Sequence, residues 1–420
     1  MIERLQISNL RNLSDIKMQT ATCNLVIGAN GSGKTSLLEA IFLLSRGKSF
    51  RHHQPKRYIQ HHQSAAIVHA RLTDSTTLAI QKQTDATTLL RLNQTTVYNQ
   101  SILTEQLPTL LIDPSSMDML EQGSASRRQL LDWLVFHMKP GFHPQWLAYQ
   151  RLLKQRNSLL KQTKNLSSGQ LAELQSWDKG LANNASLIHH YREQVFNAWQ
   201  PYFAASIAEL LPAYADQLSL SYNAGYDTTT PLDSQLNERL AQDLQLGYTR
   251  IGSHRADVHV HWRSEQVSEI RSQKDNKTEL SKVSENNEIE NTVKLPILKE
   301  QAANVLSRGE KKLLITALRL SQLPMLFDNM KVAEESIESN AVNPITINDE
   351  SNRSDITPVV LLDDITAELD DRAIEILLAT LAQSPCQVFI TSLSNEILPL
   401  IEKYWSDPIM FHVKQGKLIL

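Results

Sequence analysis

Cysteine, glycine and long apolar runs are all scarce in this chain of 420 residues. Its two cysteines, Cys23 and Cys386, stand far apart beside strand-like apolar runs. They offer neither a disulfide framework nor a metal-ligand spacing, so the expected compartment is a reducing cytoplasm. No apolar run approaches the roughly 18 residues that a membrane-spanning helix needs, so no membrane partner is expected. No signal-peptide pattern precedes MIERLQISNL either. A strong charge of one sign is also missing. The formal net charge of -3 excludes a polycation and confines any nucleic-acid surface to a local patch. Hydrophobic residues at 41% and charged residues at 21% mark a globular chain long enough for two or three domains.

What is there changes character along the chain. Residues 1–112 are strand-rich, with short β-branched runs such as SAAIVHARL and TTLAIQK. Residues 113–246 turn to long helical patterns, among them SRRQLLDWLVFHM, WLAYQRLLKQRNSLLKQ, LAELQSWDKGLANNASLIHHYREQVFNAW and YFAASIAELLPAYADQL. Strand signals resume in residues 247–420, beginning near LGYTRIGSHRADVHVHW. Two polar stretches, 264–293 and 329–357, lack the apolar content to fold alone and read as flexible insertions. The expected architecture is α/β, a nucleotide-binding lobe made from both ends of the chain with a helical arm inserted between them.

Three of the 13 glycines fall in one octet, Gly28-Ala29-Asn30-Gly31-Ser32-Gly33-Lys34-Thr35, between a short apolar strand and the helix TSLLEAIFLLS. The octet fits G-x-x-x-x-G-K-[ST] in pattern and in context: glycines let backbone N–H groups wrap phosphate oxygens, Lys34 reaches the β/γ-phosphates and Thr35 ligates Mg²⁺. With Ser36 these residues are the ATP-binding candidates. A phosphate loop needs a carboxylate at the end of a buried neighbouring strand. PVVLLDD supplies one, with Asp363 placed for the metal and Asp364 for polarising water, and Asp370 follows near the cap of the next helix. A second anion-binding step appears in LSRGEKKLL, where Ser307, Arg308, Gly309 and Glu310 open a helix whose N–H groups face outward. Ser307 with Glu310 three residues on is equally an ordinary capping box.

Taken in order, the phosphate loop, LSRGE, the strand ending in two acids, ELD and VFITS resemble the ABC ATPase superfamily's Walker A, signature, Walker B, D-loop and switch. Within it the chain resembles the RecF family of bacterial recombinational-repair ATPases almost end to end, through LQISNLRNL, GKSFRHHQPKRYI, SASRRQLLDW, LLKQRNSLLK, GYTRIGSHRADV and LLDDITAELD. One departure is Gly252-Ser253-His254-Arg255-Ala256-Asp257, where the family's GPHRDD keeps a proline and a further acid. The resemblance implies an ABC-type P-loop ATPase head with an inserted helical arm, a homodimer formed on ATP binding, and a signature that caps the partner's nucleotide. Asp370 would then belong to the D-loop and Thr391 to the switch. Asp364 stands where transporters carry a glutamate, one methylene longer, which implies slow turnover suited to a timed switch.

Arg46, Lys48, Arg51, Lys56 and Arg57, with Phe50 and Tyr58 among them, mix cations and aromatics as a DNA backbone requires. Arg127, Arg128, Arg151, Lys154, Arg156, Lys161 and Lys164 add positive charge on the arm, where solvated helix faces are the plainer reading. The resemblance implies DNA at single-strand gaps or junctions, a RecR partner with RecO in the same pathway, loading of RecA, and roles in replication and the SOS response. Other classes stay open: an ATP-gated DNA clamp or scaffold without useful hydrolysis, an ATPase of chromosome-structure type with another role, or a transporter-associated ATPase.

Overall fold

The computed structural model describes residues 1–113, 118–121, 123–263, 299–329 and 356–419. The stretches 264–293 and 329–357, read above as insertions, lie outside these residues except for 329 and 356–357. An antiparallel sheet comes from β1 (Ile2–Leu10), β2 (Leu13–Gln19), β4 (Ala65–Leu72), β5 (Thr77–Gln83), β6 (Thr88–Leu92) and β7 (Thr95–Val97), ordered β2-β1-β4-β5-β6-β7. A second sheet runs β15-β14-β3-β13-β12-β8, from β3 (Cys23–Ile27), β8 (Thr109–Ile112), β12 (Val359–Leu362), β13 (Gln387–Ser392), β14 (Ile409–Lys414) and β15 (Lys417–Ile419). All its pairs are parallel except the β14–β15 hairpin. A small third sheet joins β9 (Leu218–Asn223), β10 (Asp257–Arg263) and β11 (Lys299–Gln301).

The parallel strands are apolar runs because helices or sheet cover both their faces. In β12, Val359 and Leu361 point into one core while Val360 and Leu362 point into another. The first core holds the antiparallel sheet and helix α1 (Lys34–Arg46), through Leu37, Leu38, Ile41 and Leu44. The second core takes α2 (Ser124–Met138), α3 (Phe142–Gln162), α4 (Ser168–Leu210) and α5 (Arg308–Leu320), with Leu314, Ile315 and Leu318 of α5 among its members. The phosphate-loop helix and the signature helix therefore lie on opposite faces of one parallel sheet. Helix α6 (Asp371–Ala382) packs on the second face, through Ala373, Ile374, Leu377 and Leu378.

Helix α4 is 43 residues long and passes straight through Pro201, where the sequence reads as two successive helical patterns. Pro removes one backbone donor, a local cost that the packing of Trp199 and Phe203 on either side offsets. Trp199 is fully buried and its indole N–H donates to Ser321 Oγ at 2.9 Å, fixing α4 to the turn after α5. The helix stops at Leu210, and the following QLSLSYN stretch is strand rather than helix, as Leu218–Asn223 pairs with β10. Strand resumes only at Asp257, because residues 253–255 of the GSHRAD loop form a 3₁₀ turn. Among the described residues, no helix is long and apolar enough to cross a membrane.

Candidate nucleotide-binding site

The phosphate loop follows β3 and feeds α1, and three glycines hold its shape. Gly31 has φ +77, in the left-handed region that only glycine enters freely. At Gly33 (φ +122) a Cβ would stand 2.8 Å from Leu13 Cδ2, so the loop lies against β2 with no room for a side chain. Asn12 ties it down further: its Nδ2 donates to the carbonyls of Gly31 (3.1 Å) and Ser32 (2.9 Å), and Ser36 Oγ returns a bond to its Oδ1 (3.3 Å). From the other side comes the β14–β15 hairpin, whose two-residue turn, Gln415-Gly416, has φ of +47 and +75, as a tight hairpin demands. Gly416 N–H donates to Ser32 O at 2.8 Å. A Cβ on Gly416 would sit 1.9 Å from Asn12 O, so the contact exists only because the residue is glycine.

The loop of the GANGSGKT octet and the two-acid end of β12 meet at one oxygen. Thr35 Oγ1 donates to Asp363 Oδ1 at 3.0 Å across 328 residues of sequence, and Thr391 Oγ1 donates to the same atom at 2.9 Å. Thr391, fully buried at the end of β13, also accepts the backbone N–H of Asp364 at 2.8 Å. Asp364 itself has φ +50, a strained placement for a non-glycine residue. Its Oδ1 is buried without a hydrogen-bond partner among the described residues. Lys34 is 6% exposed, and its ammonium donates to the carbonyls of Gly28 (2.7 Å) and Ala29 (3.4 Å) of its own loop. Burial pushes the Lys34 ammonium below its ordinary value, against the pull of Asp364 and Asp363. Burial likewise pushes the Asp363 carboxyl up, opposed by the hydroxyls of Thr391 and Thr35. A cavity of about 490 Å³ opens over these groups, lined by Arg11, Asn12, Lys34, Thr35, Arg51 and Asp364 among others. Ala29, Asn30 and Gly31 form the exposed tip of the loop, while Gly28 and Ser32 are buried behind it.

Sequence reasoning passed over Arg11 and Asn12, although both stand in LQISNLRNL, and over Gly416. Arg11 binds Glu39 of α1 through Nε (2.8 Å) and Nη2 (2.9 Å), and Nη1 donates to Arg57 O at 2.8 Å. The Gln-Gly step in VKQGKL does signal a hairpin, but nothing in it says that the turn docks on the phosphate loop.

The other sequence-derived candidates sit elsewhere. Ser307 caps α5 in a complete capping box: its Oγ accepts Glu310 N–H at 3.4 Å, and Glu310 Oε2 accepts Ser307 N–H at 2.7 Å. Tyr214 OH donates to Glu310 Oε1 at 2.5 Å and holds that carboxyl below its usual value. Ser307, Arg308 and Gly309 are nonetheless exposed, with open space over Gly309. Asp370 caps α6, accepting Ala373 N–H at 2.8 Å. The basic cluster after α1 does not form one patch. Arg51 lines the nucleotide cavity, Lys56 and Arg57 are exposed on a 3₁₀ turn, and Arg46 and Lys48 surround a different cavity at the far end of α1. On the arm, Arg156 is fully buried against Asp178 (2.7 Å) and Asp243 (2.8 Å). Arg127 pairs with Asp257 at 2.9 Å and Arg128 donates to Ala256 O at 2.8 Å. Those three are structural, which corrects their reading as positive charge on a solvated or DNA-facing surface. Arg151, Lys154, Lys161 and Lys164 are exposed.

The GSHRAD loop is the anchor that these arm residues grip. Arg192, paired with Asp132 at 2.7 Å, donates to Ser253 O at 2.8 Å. His254 lies between Tyr149 OH (2.9 Å to Nδ1) and Thr249 O (3.1 Å to Nε2). A carbonyl facing Nε2 requires the proton there, so Nδ1 accepts from the tyrosine and the ring is neutral. Burial pushes its pKa down to about 4.

Comparison with known proteins bears on the family and the fold. The model of the RecF/RecN/SMC N-terminal domain family matches residues 1–406. The DNA replication and repair protein RecF of Acinetobacter baumannii strain SDF is 37% identical over 424 aligned residues, covering 100% of this chain and 99% of that one. The RecF protein of Acinetobacter baylyi is 38% identical over 396 residues, covering 94% and 92%. Among solved structures, the ATP complex of the recombination mediator protein RecF of the RecFOR pathway superposes with a TM-score of 0.71 at 22% identity, covering 100% of this chain and 96% of that one. The Smc head bound to the C-terminal winged-helix domain of ScpA superposes with a TM-score of 0.51 at 13% identity, covering 100% and 96%. These two likenesses speak to the fold.

Proposed function

This chain belongs to the RecF family of ABC-type ATPases, and on that premise we propose that it is an ATP-dependent DNA-binding protein of recombinational repair and replication restart. It dimerises on ATP at single-strand gaps or junctions, acts with RecR and RecO to help load RecA, and reopens on slow, DNA-stimulated hydrolysis in the cytoplasm. The observation that carries the reading is the convergence of Thr35 and Thr391 on Asp363 Oδ1 beside Lys34. It supports a nucleotide site assembled from both ends of the chain, with residues 113–246 as an arm.

In this reading the N–H groups of Gly28 to Ser36 wrap the phosphates, and Lys34 leaves its loop carbonyls for the β/γ-phosphate oxygens. Thr35 and Asp363 suit Mg²⁺, since a cation beside Asp363 offsets the burial that now disfavours its charge. Mg²⁺ held by Thr35 and Asp363 would supply positive charge against the phosphates. Asp364, whose buried Oδ1 lacks a partner, takes the attacking water. Its backbone N–H, held by Thr391, fixes where that carboxylate points. Thr391 thereby links the metal acid to the water acid, as a switch residue should, and Asp370, the cap of α6, belongs to the D-loop.

The opposite placement of α1 and α5 supports a signature that acts in trans. Ser307, Arg308 and Gly309 are exposed across the sheet from their own phosphate loop, so they are free to meet a partner's nucleotide. The capping box then presents the helix N-terminus rather than competing with it. A mixing experiment tests this. A Ser307→Arg chain keeps its phosphate loop, and a Lys34→Met chain keeps its signature. Each alone should be inactive, and mixing them should restore part of the ATP-dependent dimerisation by completing one composite site. A Ser307→Arg chain with wild-type dimerisation and turnover would leave the serine a helix cap and nothing more.

A further inference from the structure

The second cavity, about 490 Å³, lies at the C-terminal end of α1, away from the phosphate loop. Its walls are the last turn of α1, the outer strands β6 and β7 of the antiparallel sheet, and Gln100. Three cations face it: Arg46, Lys48 and Lys82. Among the described residues that line it, none is acidic. Lys82 is held in place by its cross-strand partner Thr88, to whose Oγ1 it donates at 2.7 Å. Arg46 meets the ring of Phe42 at 6.0 Å and forms no ion pair among the described residues. Burial pushes all three cations below their ordinary values, Arg46 to about 10, and Arg46 lowers Lys48 further. Like charges gathered and partly stripped of water without a counter-charge are costly, and an entering anion relieves that cost. At the rim stands Tyr98, 95% exposed, on the stretch that leaves the edge strand β7.

We propose that this cavity is a phosphate pocket in which Arg46, Lys48 and Lys82 converge on one phosphate group of a nucleic-acid strand, with the base beside that phosphate stacking on Tyr98. It rests on the DNA-binding reading above and sharpens it, adding Lys82 and Tyr98 and moving Arg51 to the nucleotide site. The cations alone would suit inorganic phosphate equally well. The exposed aromatic ring is what favours a nucleic-acid source, because a flat face in water at the rim of a cationic pocket suits a base.

Convergence has a signature that separate surface contacts lack. Each neutralised phosphate contributes roughly one unit to the slope of log affinity against log salt. Lys48→Gln, Lys82→Gln and the double variant are titrated with fluorescent gapped duplex at several salt concentrations, with ATP affinity and melting temperature measured alongside. If all three cations serve one phosphate, either single variant keeps that phosphate neutralised and nearly the full slope, while the double variant, left with Arg46 alone, weakens DNA and loses no more than about one unit of slope. A loss of about two units, or unchanged DNA affinity in the double variant at every salt, overturns the pocket. Tyr98→Ala should weaken gapped DNA roughly 5- to 50-fold with the slope unchanged; full affinity overturns the stacking. Inorganic phosphate is the second arm. Heat of phosphate binding that vanishes in the double variant, with unchanged DNA binding, assigns the pocket to a free anion and overturns the nucleic-acid source. If the wild-type protein binds no DNA at any salt, the DNA reading of the whole protein fails. The phosphate titration then decides the pocket alone.

Discussion

Two buried charge clusters in this molecule are built in opposite ways. In the arm, Arg156 has two carboxylates within 2.8 Å and Thr249 Oγ1 at 2.7 Å, so its charge is answered from within the chain, although its Nη2 and Asp243 Oδ1 have no hydrogen-bond partner among the described residues. In the nucleotide site, Lys34 donates to backbone carbonyls of its own loop, and Asp364 Oδ1 has no hydrogen-bond partner among the described residues. The first cluster ties α3, α4 and the segment before the GSHRAD loop into one unit. The second is held in shape by glycines, Asn12 and a hairpin turn, and leaves its charges to a ligand. Charge answered internally serves stability, and charge left open serves binding.

The contrast breaks first where a partner is removed. Asp178→Ala should cost about 3–5 kcal/mol of stability in urea unfolding, because one of the two carboxylates that answer the buried Arg156 is lost. ATP affinity of the folded fraction should stay as it was. A variant as stable as the wild type would erase the distinction.

Next in size is the His254 anchor. Its pKa of about 4 in the folded chain lies below the unfolded value of 6.5, so the unfolded state binds the extra proton between those values. The contribution is present above pH 6.5 and is lost as pH falls toward 4, by about 3 kcal/mol. Chemical unfolding of the wild type and His254→Gln across that window measures it. Parallel pH profiles would remove His254 as the cause.

At the nucleotide site the expected effects are in binding instead. Lys34→Met should weaken ATP roughly 100-fold, the scale of a charge-assisted hydrogen bond, while the ligand-free protein melts no lower, since burial already disfavours this ammonium. Unchanged affinity in a fluorescent-nucleotide titration would remove Lys34 from the phosphates. Smallest is Gly416→Ala. A left-handed alanine costs about 1–2 kcal/mol, and its Cβ would push the hairpin off Asn12. ATP should weaken about tenfold with little change in melting temperature. An equal loss of stability and no loss of affinity would make the turn part of the scaffold alone.

Much of this was legible in residue order, because the physics is local. GANGSGKT between an apolar run and a helix, two acids closing a β-branched strand, and Ser-x-x-Glu before an amphipathic stretch each carry their geometry within a few residues. Local spacing likewise marks the apolar runs LVI, PVVLL and QVFITS as buried strands. Where spacing and packing disagreed, packing won. Pro201 suggested a break that the core around Trp199 and Phe203 overrides. QLSLSYN lies within residues 113–246, a region read as helical, yet it pairs with β10.

What the sequence by itself determined is the chemistry available: a phosphate loop, two acids, a capped signature helix and an excess of cations near both. Only the tertiary structure decided which of these meet. Arg46 and Arg51 are five positions apart, yet they face different cavities at opposite ends of α1. Arg156 looks like any arm cation until Asp178, Asp243 and Thr249 close on it. Asp363 finds Thr35 across 328 residues because β12, β13 and β3 are neighbours in one sheet. Strand order is a long-range outcome of burying both faces of that sheet at once, and no window of sequence contains it.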